Sequence, residues 1–472
     1  MRKSAWLYGA LAVCLVATAC SRSSSSKSTS TSSAATATTA AASSAATATT
    51  AAAGGTQCGS TPLQASDIGI TPTTITVEVM ADVGSPLAPG LFQGNLDALT
   101  GFAKYVNANG GIACRKLVVR TWDSKLDPTE SKNGLIDACS NAIAMVGNNA
   151  LFNPDVTPLT NCVDKSGQAT GLPDIAALAN DVNEQCAPTA YVIQAISVPC
   201  PPTKGVAAYK ANIGPTEWYV KNNPGVTLHG LFMVPGDLPT TVQSATPQIA
   251  GQTQAGITFD ATPKVSGADA QPAYTPRVQI IKAKNSNYVY DGSNDVAEIR
   301  VRKEALAQGV NSVKIWACSL ACYTANELSQ GGSAVEGTYV WMQFLPFEEA
   351  SLNKADAAYI ANVPKPDSFG AQAWMAALAF EQVVNKIVAT SGPNAITRAA
   401  VLDGLKNIGQ FDAAGWMAPS NLRGFSPCFM MMQIQNGKFV RTYPTKPGTF
   451  DCTPSNVVTV NLDPVAEAAK LK

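Results

Sequence analysis

Leaving aside Cys14 and Cys20, ten of the twelve cysteines of this 472-residue chain run from Cys58 to Cys452, and His229 is its single histidine. Thiols and imidazoles can bind metals, attack carbonyls or close disulfides, and the spacing chooses among these. No two cysteines stand as C-x-x-C, and one histidine cannot complete a Cys/His zinc set, so no metal site is expected. Neither a G-x-S-x-G elbow nor a phosphate-cradling loop with its lysine occurs. A serine–histidine pair would have to use His229, which sits in the apolar run Thr227-Leu228-His229-Gly230 and reads as structural. The adjacent acids Glu348 and Glu349 read as a solvated face rather than an acid–base pair. No enzyme and no cofactor is expected.

An even cysteine set in an exported chain reads as disulfides. Cys114 begins a predicted strand and Cys139 ends the following helix, which predicts Cys114–Cys139. Proximity along the chain adds Cys162–Cys186, Cys318–Cys322 and Cys428–Cys452, and elimination leaves Cys58–Cys200. Export itself is legible at the start: Arg2 and Lys3 precede an uncharged, largely apolar run at 5–16, too short to span a bilayer, and then Ala17-Thr18-Ala19 before Cys20. Those small residues resemble a bacterial lipoprotein cleavage box, which implies that Cys20 carries lipid. The family prefers Leu where Ala17 stands, and the ordinary A-x-A rule would cut the same bond. Residues 1–19 are thus read as a signal peptide and 20–57 as a tether. From 21 to 56 the chain is almost entirely Ser, Thr and Ala, with nothing large to bury and so nothing to offset the entropy of ordering.

The 33 basic and 33 acidic residues balance, and no Lys/Arg cluster tracks a phosphate backbone, so nucleic acid is not an expected partner. After the spacer about 415 residues remain, enough for two domains or more.

The pattern there is α/β. Strands are expected at 75–80, 116–122 and 142–147, separated by helices at 91–107 and from Asp127-Pro128. Phe92, Leu96, Leu99, Ala103 and Val106 make one apolar stripe on the first helix, and Asn109-Gly110-Gly111 stops it. The rhythm restarts with strands at 226–234, 287–290, 313–317 and 338–342 and helices at 295–308 and 370–388. A hairpin at 428–443 turns at Asn436-Gly437. Strands joined by single helices imply parallel sheets with right-handed crossovers, here as two lobes.

Distinctive stretches run along the chain: Thr71-Pro72-Thr73-Thr74-Ile75-Thr76-Val77, Asn107-Ala108-Asn109-Gly110-Gly111-Ile112 with Arg115-Lys116, Asp123 with Asp127-Pro128, and Ala144-Met145-Val146-Gly147. Tyr274-Thr275-Pro276, Asn287-Tyr288-Val289-Tyr290, Val335-Glu336-Gly337-Thr338-Tyr339 and Leu402-Asp403-Gly404-Leu405-Lys406-Asn407 follow in order. Together they resemble the type I periplasmic-binding proteins, specifically the branched-chain amino-acid-binding family of transporter lipoproteins. The resemblance implies a two-lobe fold, each lobe a mostly parallel sheet flanked by helices, joined by three hinge crossings. It places residues 58–190 and 316–415 in lobe 1, and 191–315 and 416–472 in lobe 2. It also implies capture of a small molecule in the inter-lobe cleft, a permease and ATPase of an ABC importer as partners, and a lipid-anchored location outside the cytoplasmic membrane. The same fold serves as a sensor ectodomain, which leaves uptake and signalling both open, with a cell-envelope enzyme of unfamiliar site as the third and weaker alternative.

Ligand residues are expected at strand ends, where open α/β sheets bind. Asn148 and Asn149 either meet ligand or form the strand-to-helix turn. Asp291, with Ser293, either meets a ligand amine, as the family implies, or caps the next helix. Gly84, Ser85, Asp237, Tyr323 and Phe152 complete the set. Where the family grips an amino-acid carboxylate with Ser or Thr hydroxyls, this chain has Asn148-Asn149-Ala150-Leu151-Phe152. That departure predicts a neutral or mainly apolar ligand rather than leucine, isoleucine or valine.

Overall fold

The computed structural model describes residues 60–194 and 198–471; the signal segment, Cys20, the spacer and Cys58 lie outside the described residues. Five strands form the first sheet: β1 (Thr74–Ala81), β2 (Lys116–Asp123), β3 (Ala144–Val146), β4 (Asp174–Leu178) and β5 (Ala190–Gln194). All are parallel, in the order β2-β1-β3-β4-β5. A short ribbon pairs β6 (Ala207–Asn212) with β15 (Val457–Leu462).

The second sheet contains β7 (His229–Pro235), β8 (Thr258–Ala261), β9 (Lys264–Val265), β10 (Tyr288–Asp291), β11 (Ile315–Ser319), β12 (Tyr339–Met342), β13 (Met430–Gln435) and β14 (Lys438–Tyr443). Its order is β14-β13-β12-β11-β10-β7-β8, with β9 beside β7 and only β13 and β14 antiparallel to their neighbours. Both parallel blocks therefore reverse strand order once, between β1 and β3 and between β7 and β10. Such reversals open a crevice at the carboxyl ends of the strands.

The recognisable sequence motifs turn out to build this scaffold. Asn107, near the end of helix Gln93–Ala108, accepts from the Leu117 N–H at 2.8 Å and donates to the Leu117 carbonyl at 2.9 Å, which ties the helix to β2. Gly111 has φ +80°, and an added Cβ would lie 2.1 Å from the Arg115 carbonyl oxygen, so only glycine fits. Asp127 caps helix Pro128–Asn141 through the N–H groups of Thr129 and Glu130, with Pro128 where a missing N–H costs nothing. At the late hairpin Asn436 and Gly437 adopt φ +53° and +70°, the turn whose twist matches paired strands.

Three crossings join the lobes: after β5, after β12, and before β13. Between the last two, helix Ser368–Ser391 packs its buried Ala371, Ala373, Trp374 and Ala377 against helix Gln93–Ala108 and β4. The largest core cluster runs from Val77 and Leu99 through Trp374 to Met430 and Phe439. The expected boundaries at 190/191 and 315/316 need correction, because each cuts a strand, β5 or β11. β11 and β12 lie in the second sheet, so lobe 1 resumes only after Met342.

Cysteine pairing also differs from expectation. Cys139 bonds Cys162 (Cα–Cα 5.7 Å) and Cys186 bonds Cys200 (5.3 Å), in place of Cys114–Cys139, Cys162–Cys186 and Cys58–Cys200. Helix Pro128–Asn141 carries the chain from edge strand β2 across β1 towards β3. Its end lands beside helix Thr157–Thr160, not beside the turn that holds Cys114. Cys114 is disulfide-bonded, and all eight other described cysteines pair among themselves. Cys318–Cys322 and Cys428–Cys452 are paired as chain proximity predicts.

Candidate ligand-binding site

At the first-lobe reversal, fully buried Asp82 organises the loops. Its Oδ1 accepts from Ser124 Oγ (2.6 Å) and the Leu126 N–H (2.9 Å), and its Oδ2 from the Leu151 N–H (2.8 Å). Lys125 and Leu126 both have positive φ, so the carboxylate anchors a strained turn on one side and the 148–152 segment on the other. Asn149 is buried, its N–H donates to the Met80 carbonyl, and neither side-chain polar atom has a partner. Asn148 donates from Nδ2 to Glu184 Oε1 at 3.1 Å, with its Oδ1 unpartnered. Burial, and then the charge of Asp174, push the Glu184 carboxyl well above the ordinary range. Phe152 is half-buried, and its carbonyl accepts from Ser131 Oγ. Ser85 is buried and its Oγ accepts from the N–H groups of Leu87 and Ala88, while Gly84 donates to Asp123 Oδ1.

In the second lobe, Asp291 Oδ1 accepts from the Ser293 N–H at 2.8 Å and Oδ2 has no partner. Its carboxylate lies within 4.8 Å of both sulfurs of the Cys318–Cys322 disulfide. Burial, and then Glu298, push its carboxyl well up. The helix cap expected of Asp291 or Ser293 is Asn294, which accepts from the Ala297 N–H. Asp237 is exposed and accepts from the Gly267 N–H. Tyr323 lies in the aromatic core, its ring 4.8 Å from Phe439 and its hydroxyl on Glu348. Glu349 is buried in a two-point pair with Arg441, which corrects the solvated reading of the Glu348-Glu349 pair. His229 Nδ1 meets Asp260 Oδ2 at 2.8 Å, and Ser286 Oγ donates to that same oxygen at 2.6 Å. Serine and histidine therefore both use one carboxylate and make no nucleophile–base pair with each other.

Between the end of β5 and the carboxyl edge of the second sheet lies a cavity of about 140 Å³. Gln194 lines it from the first lobe and Lys210 and Asn212 from β6. Helices Gly214–Lys221 and Pro239–Gln254 supply Thr216, Tyr219, Gln248 and Gln252, and the second sheet supplies Tyr290, Ser319 and Trp341. None of the nine expected ligand residues lines it, although Tyr290 and Gly292, on either side of Asp291, do. Residues alternate faces along a strand, so the cavity takes Tyr290 and leaves the Asp291 carboxylate on the other face. Sequence reasoning passed over β5, β6 and both helices. The one available signal was Gly214-Pro215 ahead of Trp218-Tyr219, a helix start with proline in its first turn. Helix Pro239–Gln254 is polar and contains Pro247, and Thr246 Oγ1 supplies a donor to the Gln243 carbonyl that Pro247 cannot serve.

Two parallel blocks with matching reversals, three crossings and a cavity at the junction are a solute-capture architecture, and the sequence agrees: the periplasmic binding protein family matches residues 74–438. The chain belongs to that family. As a member, it is a solute-binding protein. Solved structures share the fold at low identity. A fatty acid ABC transporter substrate-binding protein from Thermomonospora curvata superposes with TM-score 0.59 and 16% identity, over 81% of this chain and 97% of that one. The branched-chain amino acid transporter protein from Streptococcus pneumoniae, in complex with isoleucine, gives 0.56 and 15%, over 78% and 100%. A Rhodopseudomonas palustris solute-binding protein in complex with benzoate gives 0.58 and 15%, over 79% and 97%. None of the curated proteins compared matches the chain.

Proposed function

We propose that this periplasmic binding protein is the capture subunit of an ABC importer, tethered outside the cytoplasmic membrane by lipid on Cys20, and that it releases its solute unchanged. The observation that carries the reading is the cavity between Gln194 of one lobe and the strand ends of the other, which hinge motion would open and close. No described helix is long and apolar enough to cross a membrane, so on this reading the lipid supplies the attachment. Solved structures of this fold include a fatty acid ABC transporter substrate-binding protein and complexes with isoleucine and with benzoate, which supports a scaffold whose ligand is set by side chains rather than by topology.

The ligand is read as neutral or mainly apolar, in preference to leucine, isoleucine or valine. The Asn148 to Phe152 segment that suggested this does not line the cavity; what supports it there is a lining with no carboxylate to meet an amino acid's ammonium. Mass spectrometry of small molecules released from the denatured purified protein tests capture. Fatty-acid labelling of wild type against Cys20→Ala tests the anchor. A protein that carries no small molecule, or one that labels equally without Cys20, counts against the respective half.

A further inference from the structure

We propose that Asp174 and Glu184, with Asn148 and Asn153, hold a hard divalent cation of calcium size in the first lobe, where the loop after β3 meets β4. All four side chains are buried, none more than 1% exposed. They come from β4, from the loop 148–153 that follows β3, and from the short helix Val182–Cys186 that follows β4. Asn148 Nδ2 donates to Glu184 Oε1 at 3.1 Å, and the same amide adjoins Asp174. Asn153 adjoins Glu184 from the loop.

Five oxygens of this cluster have no hydrogen-bond partner in the protein: both of Asp174, Glu184 Oε2, Asn148 Oδ1 and Asn153 Oδ1. Buried acceptors are almost always met, so a set left over together points to a group that meets them at once. A proton on each carboxyl would serve only part of the set, since each proton reaches one acceptor. Charge makes the same demand. No ion pair among the described residues reaches Asp174 or Glu184. The other carboxylates that act on Glu184, those of Asp181 and Asp82, are negative as well. A buried carboxylate without a counter-charge is costly, and this cluster holds a pair of them.

The donor set then chooses the ion. Only oxygens are offered, which suits calcium or magnesium rather than metals that seek thiolate and imidazole. Magnesium keeps several of its waters, for which so buried a cluster leaves little room, whereas calcium accepts protein oxygens in flexible geometry. A bound ion would tie the loop to the helix, and Cys186 of that helix is bonded to Cys200 in the crossing after β5. The ion would thus brace the edge of the first lobe that faces the cleft.

The test uses the full chain, treated with a chelator, dialysed and titrated with calcium chloride in a calorimeter. One site is expected, with Kd between about 10 µM and 1 mM, the span from sensor sites to exported modules. Calcium at about 10 mM should raise the melting temperature by about 1–5 °C, and magnesium at that concentration by less. Hydrogen exchange on the wild type should slow at the amides of 148–153 and 182–186 when calcium is added. Glu184→Gln, which keeps an oxygen for the Asn148 amide, should weaken calcium binding at least about tenfold without lowering the calcium-free melting temperature. Asp174→Asn should do the same. A purely structural pair would instead lower the melting temperature equally with and without calcium. That result, no heat or shift with calcium, tighter binding of magnesium, protection gained elsewhere in the chain, or an undiminished calcium response in both variants overturns the proposal. Should a variant fail to fold, exchange on the wild type still decides, and none of these readouts depends on which solute the cleft takes.

Discussion

Asp82 offers the sharpest test of how the first-lobe crevice is built. Replacing it with alanine removes one acceptor set from three donors: the Ser124 hydroxyl and the N–H groups of Leu126 and Leu151. Each buried donor left unmet costs about 1–3 kcal/mol, and water entering the space left by the carboxylate would recover part of that. The expected loss is about 3–5 kcal/mol. Asparagine keeps one carbonyl oxygen for Ser124 and Leu126 but turns an N–H2 towards the Leu151 N–H, so about half that loss is expected. Urea unfolding followed by tryptophan fluorescence gives the two values. Hydrogen exchange at Leu126 and Leu151 locates them, because both amides should lose protection before distant parts of the sheet. A loss below about 1 kcal/mol in Asp82→Ala, or an asparagine variant as damaged as the alanine one, would refute the idea that this carboxylate holds the strained Lys125–Leu126 turn to the 148–152 segment.

Gly111→Ala should cost about 2–3 kcal/mol through its positive φ and the contact with the Arg115 carbonyl. Gly110→Ala, with positive φ but open space, should cost about 1 kcal/mol, and thermal melts compare them. Non-reducing peptide mapping should recover Cys139–Cys162 and Cys186–Cys200; a Cys162–Cys186 peptide would contradict the fold around helix Pro128–Asn141. Burial, and then the charges of Glu348 and Glu349, push Asp356 to about 8, so the native chain keeps a proton that the unfolded chain releases. Stability should therefore fall as pH rises from about 4 to 8, and Asp356→Asn should flatten that slope in melts across the window. Ligand should raise the melting temperature and reduce the radius of gyration in solution scattering; an unchanged radius at saturation would mean lobes that do not close.

The sequence by itself carried the scaffold. Strands β1, β2, β10 and β12 and the helices after Asp127 and Asn294 were legible because their signals are local: β-branched runs, an N-cap, a glycine stop. Strand β4, with its Ala-Ala centre, and β6, Ala-Ala-Tyr-Lys-Ala-Asn, carry no such signal, and their neighbours in the sheets make them strands. The same division explains the site. Motifs at Asn107, Gly111 and Asp127 identified the family because they hold helix to strand or cap a helix, and none of them lines the inter-lobe cavity. Which side chains line the cavity depended on facts no single stretch contains: that β5 ends opposite the second sheet, that β6 pairs with β15 some 250 residues later, and that a strand shows Tyr290 to one face and Asp291 to the other. Disulfide partners followed the same rule. Chain proximity paired Cys318 with Cys322, but only the path of a helix across β1 could bring Cys139 to Cys162, since a crossover separates residues near in sequence and joins others that are distant.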